Sequence, residues 1–233
     1  MQRLSVVVVH GSYSDIYRQE FNLLLERVRA RVENPVCGVY LECTDKSMAA
    51  AIAEFLQSYL EQPDLQLQIL PLFLSPGVHV REDIPEAIAQ LREQFPNITV
   101  QTLPYLGQDG LLAPFLERQF EKRPEAKRIL LAHGSSRSGA NPQIETLAAS
   151  LNANTAYWST EPALQETVAL LTKEPLNTIF VVPYFLFSGR IPAAIAEQLK
   201  ELQQAYSRLQ FYLGKPFGTQ SDCAVAIAEL LNS

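Results

Sequence analysis

Short, almost purely apolar runs alternate along the chain with longer stretches in which apolar residues recur every three or four positions. Leu4 to Val9 carries five apolar residues and only Ser5 between them. A strand with so little polar alternation is expected to be buried on both faces, as parallel strands are. Asp15 to Arg31 then reads as a helix, with Phe21, Leu24, Leu25 and Val28 on one face. The alternation continues with a strand over Val36–Leu41, a helix over Ser47–Leu60 and a strand over Leu67–Leu74. The next helix opens around Asp83-Ile84-Pro85, with proline in its first turn. Ile98–Leu103 and Leu111–Phe120 complete four βα units.

The second half repeats that order. Strands are predicted over Arg128–Ala132, Thr155–Trp158, Thr178–Phe187 and Leu209–Leu213. The helices between and after them fall over Pro142–Leu151, Pro162–Thr172, Pro192–Leu202 and Ser221–Leu231. Three phrases recur: Val9-His10-Gly11-Ser12 as Ala132-His133-Gly134-Ser135, Leu70-Pro71-Leu72-Phe73 as Val182-Pro183-Tyr184-Phe185, and Ile84-Pro85-Glu86-Ala87 as Ile191-Pro192-Ala193-Ala194. Their offsets are 123, 112 and 107 residues, so the second copy has lost loop residues. The charged, proline-containing segment 121–125 lies between the copies and sets the expected domains at 1–122 and 123–233. Eight βα units also suit a closed barrel. Alternation alone does not separate that architecture from two four-stranded domains, but the drifting offsets and the charged joint favour the domains.

Composition narrows the partners. Of 233 residues 47 % are hydrophobic, enough for two modest cores, and acids outnumber bases for a net charge of −6. That balance argues against nucleic acid as a main partner, which needs a basic footprint. Cys37, Cys43 and Cys223 are odd in number and lack metal-site spacing, so a thiolate zinc cage or a disulfide framework is not expected and a reducing cytoplasm is. The apolar runs are far shorter than a membrane span and no signal-like segment opens the chain. Cys43 is expected to be buried filler, directed away from Glu42.

The ionisable groups are unevenly shared. Between Gly77 and Ile84 the first copy carries His79, Glu82 and Asp83, whereas only Arg190 separates Gly189 from Ile191. In open parallel sheets ligands bind beyond the carboxyl ends of the strands. His10 lies at that end of the first strand, Glu42 at that end of the second and His79 in the loop after the third. Two imidazoles and a carboxylate converging there suit transient binding of a divalent first-row metal and proton transfer near neutral pH. The bland readings are a hydrogen-bonded strand-end histidine and a loop filler. His79 vanishes with its loop in the second copy, so the fold does not require it. The counterpart of Glu42 is Trp158 or Ser159, and His133 reads as a relic or a pocket-lining residue. No nucleotide-binding glycine loop and no hydrolase elbow is present.

Taken together, Val9-His10-Gly11-Ser12, Leu41-Glu42 and the run Gly77-Val78-His79-Val80-Arg81-Glu82-Asp83-Ile84-Pro85 resemble the sirohydrochlorin chelatase family, the class II metal chelatases of siroheme and cobalamin biosynthesis. The resemblance spans the whole chain and its long, two-domain form. It implies two flavodoxin-like α/β domains, each with a four-stranded parallel sheet, facing across a cleft. It further implies ATP-independent insertion of Fe²⁺, or alternatively Co²⁺, into sirohydrochlorin by a monomer with no tightly bound cofactor. His10, His79 and Glu42 are its implied metal-binding and catalytic residues. Ser12 and Arg81, with Arg137 and Arg190, are the donors considered for the tetrapyrrole carboxylates, although ordinary solvated surface is the commoner role for such arginines. Tyr13-Ser14-Asp15 departs from the Arg-Asp pair often found at this point in relatives. A non-catalytic metal or tetrapyrrole carrier on the same scaffold is the reading from a different class.

Overall fold

The apolar runs become strands of two separate parallel sheets. The computed structural model describes residues 2–135, 141–173, 175 and 177–233. In the first copy the order is β1 (Gln2–Val9), α1 (Asp15–Arg29), β2 (Val36–Tyr40), α2 (Met48–Gln57), β3 (Leu65–Pro71), α3 (Ile84–Gln94), β4 (Thr99–Thr102) and α4 (Ala113–Phe120). The second gives β5 (Lys127–Ala132), α5 (Asn141–Ser150), β6 (Asn154–Tyr157), α6 (Leu164–Leu171), β7 (Thr178–Pro183), α7 (Arg190–Ala205), β8 (Gln210–Leu213) and α8 (Ser221–Asn232). Strand orders are β2-β1-β3-β4 and β6-β5-β7-β8, which excludes the closed barrel. In each copy the first crossover runs from the first strand to one side and the second passes back across it to the other, the reversal of doubly wound folds.

Both faces of each sheet are covered. Leu4, Val6 and Val8 of β1 pack with Ile52 and Leu56 of α2 and with Ile84, Ile88 and Leu91 of α3. Alternate residues point the other way, and Val7 and Val9 are fully buried there. Phe21, Leu24, Leu25 and Val28 form the buried stripe of α1. In the second sheet Ile129, Leu131, Ile179 and Val181 pack with Leu164 and Val168 of α6 and with Ile195 and Leu199 of α7. Leu67, fully buried in the first core, tests this packing. Leu67→Ala should cost about 2–5 kcal/mol of unfolding free energy, measured by urea denaturation. A cost below about 1 kcal/mol would mean that β3 is not clamped between helices as described.

The compact units do not follow the sequence copies. One comprises Met1–Asp109 with Ser221–Ser233 and the other Gly110–Gln220. Helix α4 thus belongs with the second sheet, where Phe120 packs edge-to-face on Phe180 of β7 and Glu117 pairs with Arg128 of β5. Helix α8 belongs with the first, where Leu231 accepts a hydrogen bond from Arg3 of β1. Each copy's last helix thus packs within the other copy's unit, α4 against β7 and α8 against α1. This exchange is invisible to a boundary drawn on sequence between residues 122 and 123.

Two strands end several residues short of their predicted apolar runs. β3 and β7 stop at Pro71 and Pro183, while Leu72, Tyr184 and Phe187 stay buried beyond them as loop. The amides of Leu72 and Tyr184 still bond to the Val8 and Leu131 carbonyls at 2.7 Å, and burial carries the hydrophobic pattern on beyond the strand ends. Those buried loops carry the chain to the carboxyl edge of each sheet.

Candidate metal centre

Parallel pairing brings the strand ends into line. Val9 is opposite Tyr40, and beyond the ladder the amide of Leu41 donates to the Val9 carbonyl and that of Glu42 to the His10 carbonyl, at 2.9 and 2.8 Å. His10 and Glu42 are thereby fixed side by side. The intervening turn requires Gly11, whose φ is +103° and whose hypothetical Cβ would collide with the Glu42 carbonyl oxygen. His79 comes from the opposite flank, since β3 is the other neighbour of β1.

His79 does not sit in an irregular loop. It opens a π-helical turn, His79–Asp83, in which the Ile84 amide bonds back to the His79 carbonyl before α3 begins. Such turns are rare and concentrate at functional sites. This one sets His79 beside Asp83, with Nδ1 2.5 Å from Oδ2. The His10 and His79 rings meet edge-to-face with centroids 4.6 Å apart, and the Phe73 ring lies 5.9 Å from His79.

Hydrogen bonding fixes which ring nitrogens face the site. His10 Nδ1 is 3.1 Å from the Gly11 carbonyl, which can only accept, so Nδ1 carries the proton. Asp83 holds the Nδ1 proton of His79 in the same way, a carboxylate–histidine arrangement of the kind that orients metal ligands. Both Nε2 lone pairs are then free, and each Nε2 lies 3.8 Å from a different Glu42 oxygen. Among the described residues this is the one group of three or more His, Cys, Asp or Glu side chains with metal-binding spacing, its ligand atoms all within 4.8 Å of one another. Donors bound to a single first-row ion at about 2.0–2.2 Å lie about 3–3.5 Å apart, so the set is slightly open and would draw inward on an ion. The side chains of His10 and Glu42 are 49 % and 53 % exposed and that of His79 23 %. Three donors with an open side suit an ion that must leave.

The second copy lacks this set. The amide of Ser159 donates to the His133 carbonyl at 2.9 Å, as Glu42 does to His10, which makes Ser159 and not Trp158 the counterpart of Glu42. His133 is exposed, its Nδ1 2.9 Å from the Gly134 carbonyl and 3.3 Å from the Ser159 hydroxyl. Gly189 leads directly into α7, with nothing in the place of His79.

Other sequence expectations fare unevenly. The Ser12 hydroxyl accepts from the Ser14 amide at 3.1 Å and so is engaged within its own loop. Arg81 is exposed in the π-helical turn and takes no ion-pair partner among the described residues. Arg190 is the exposed first residue of α7, in the other compact unit, and Arg137 lies outside the described residues. Cys43 is no buried filler: it is half-buried, with φ +57°, because the chain leaves the strand there. Burial pushes the Cys37 thiol up to about 12, against the opposing pull of Arg29, and raises that of Cys223 as well, so neither offers a thiolate ligand near neutral pH. Burial likewise pushes Tyr17, under the His10 loop, up to about 12, opposed by a backbone hydrogen bond with Gly11. Asp83 is the neighbour of His79 that sequence reading left without a role. Its only signal was its spacing of four from His79.

The family model for CbiX matches residues 4–123 and again 127–233. A sirohydrochlorin ferrochelatase of Priestia megaterium is 25 % identical, over 97 % of this chain and 90 % of its own length. A sirohydrochlorin cobaltochelatase of the same organism is 24 % identical over 64 % of this chain and 54 % of its own. The solved structure of SirB from Bacillus subtilis with Fe³⁺ superposes with a TM-score of 0.81 at 21 % identity, covering 100 % of this chain and 95 % of that one. With two matches to one model and two chelatase-like domains in tandem, the chain belongs to the CbiX family, the sirohydrochlorin chelatases that its motifs resemble.

Proposed function

We propose that the chain inserts Fe²⁺ into sirohydrochlorin without ATP, giving siroheme and releasing two protons. The observation that carries this is the convergence of two imidazole lone pairs and one carboxylate on an open edge of the first sheet. The names of the relatives point to the same substrate. In this reading 1–122 is the active copy and 123–233 a degenerate one.

Insertion requires the ion to shed water, the macrocycle to lose two N–H protons and the ion to pass from protein to ring. His10 and His79 hold the ion through Nε2, and Glu42 offsets its charge. Because Glu42 is half exposed, it also takes a pyrrole proton as the ring nitrogens replace the protein ligands. An imidazole freed by the departing ion takes the other. Ser12 and Arg81 are the proposed donors toward the substrate carboxylates, Arg81 by virtue of its exposed guanidinium. The reading calls for no tightly bound cofactor. Both copies lie on one chain, which supports a monomer. Among the described residues no helix is long and apolar enough to cross a membrane, and the three cysteines are free, which supports the cytoplasm.

Co²⁺ is the alternative metal, favoured by the cobaltochelatase relative and by a donor set that accepts either ion. Absorbance of sirohydrochlorin under anaerobic conditions, with each metal in turn, should show insertion accelerated by the protein and faster with Fe²⁺. No acceleration with any metal ends the enzyme reading. A chelatase should also purify largely metal-free, whereas a carrier would retain its ion through gel filtration.

A further inference from the structure

The two loops that carry His10 and Glu42 are tied together by a side chain outside the three-residue donor set. Arg18, in the first turn of α1, donates Nε to the Ser12 carbonyl at 2.9 Å and Nη2 to the Cys43 carbonyl at 2.8 Å. Ser12 lies two residues after His10, and Cys43 directly follows Glu42. One planar, permanently charged fork therefore bridges the two loops in addition to the Glu42–His10 backbone bond, with two charge-assisted bonds whose directions are linked. The Cys43 carbonyl reaches Arg18 while its residue holds φ +57°, a conformation that L side chains seldom adopt without support. The guanidinium also lies over the Tyr40 ring, 5.9 Å from its centroid, at the end of β2.

The second copy offers an internal comparison. The buried stripe of α1 recurs in α5 as Ile144, Leu147 and Ala148, continued by the buried Leu151, at the same offset of 123 residues that relates His10 to His133. Arg18 then corresponds to Asn141. Asn141 spans the equivalent loops, its Oδ1 accepting from the Ser135 amide at 2.9 Å but its Nδ2 reaching the Thr160 hydroxyl only at 3.5 Å. The copy that keeps the two histidines and the carboxylate keeps a strong strap, and the copy without them has a weak one.

We infer that Arg18 is a positioning residue that, together with the Glu42–His10 backbone bond, holds the His10 and Glu42 loops at the separation that metal binding needs. This rests on the reading of His10, Glu42 and His79 as the metal site. Co²⁺ titration of the full chain tests it, read by the ligand-field absorption of the bound ion and by the metal KM and kcat of insertion. Arg18→Ala should weaken Co²⁺ binding about 10–100-fold, the usual cost of losing a group that orients a ligand. It should also raise the metal KM more than it lowers kcat. Arg18→Lys, which can reach one carbonyl but not both, should recover part of the affinity. Cys43→Gly on the Arg18→Ala background should recover more, since glycine adopts the positive φ unaided. Parental Co²⁺ affinity in Arg18→Ala overturns the inference, as does a loss that neither Arg18→Lys nor Cys43→Gly relieves. The double variant His10→Ala/His79→Ala separates the two readings. If it binds Co²⁺ like the parent, the metal site itself is misassigned; if it does not while Arg18→Ala does, only the role of Arg18 falls.

Discussion

His10→Ala and His79→Ala should each slow metal insertion by about a hundredfold or more, because removing a ligand must exceed the 10–100-fold typical of removing its supporting partner. The reason is geometric. Each imidazole supplies one of only two nitrogen donors, each 3.8 Å from Glu42, and among the described residues no other group completes the set. Both variants should remain folded. His10 is half exposed, so its removal leaves no sealed cavity, and His79 sits outside the α3 stripe of Ile84, Ala87, Ile88 and Leu91 that anchors its helix. His133→Ala is the control. Its ring faces Gly134 and Ser159 and is exposed, so its loss should leave insertion within about twofold of the parent. The check is the initial rate of sirohydrochlorin metallation for the three variants, with circular dichroism confirming the fold. Equal losses for His133→Ala and His10→Ala would mean that the second copy shares the reaction, and the one-active-copy reading would fail.

Much of this was legible in sequence for physical reasons that also mark where legibility stopped. Parallel strands buried on both faces must be continuously apolar, so Leu4–Val9 and Ile129–Ala132 announced themselves. The turn after each needs glycine, so the His-Gly pair recurred even where Glu42 and His79 have no like counterparts. The rule that parallel sheets bind ligands at strand ends then brought His10, Glu42 and His79 to one edge. What failed to show was whatever depends on backbone detail beyond the strand. A π-helical turn, closed by the Ile84 amide on the His79 carbonyl, leaves no compositional mark. Arg18 reads as one more charged residue on an amphipathic helix. Only the loop carbonyls that it meets, of Ser12 and Cys43, give it a role. The exchange of α4 and α8 escaped for a related reason: an apolar stripe says that a helix is covered, not by which sheet.

Asp83→Asn is the change that separates ring orientation from ligand identity. Asp83 receives the Nδ1 proton of His79 at 2.5 Å and so leaves Nε2 with its lone pair toward Glu42. An ionised carboxylate is acceptor-only and enforces this tautomer, whereas an amide can also donate. With asparagine, the side-chain NH₂ can bond to Nδ1, which moves the ring proton to Nε2 and caps the atom that should hold the ion. Metal affinity and insertion should then fall about 10–100-fold although every proposed ligand is still present. Asp83→Glu, which keeps an acceptor-only group on a longer stem, should retain more of both. Because the Asp83 side chain is 46 % exposed, its neutralisation should not unfold the domain. Nitrogen NMR of ¹⁵N-labelled imidazole reads the tautomer directly and Co²⁺ titration reads the affinity. A shift of the His79 proton to Nε2 together with weakened binding is the expected pair of results. Unchanged affinity in Asp83→Asn would show that the π-helical turn alone aims His79, and that the carboxylate behind it does nothing for the metal.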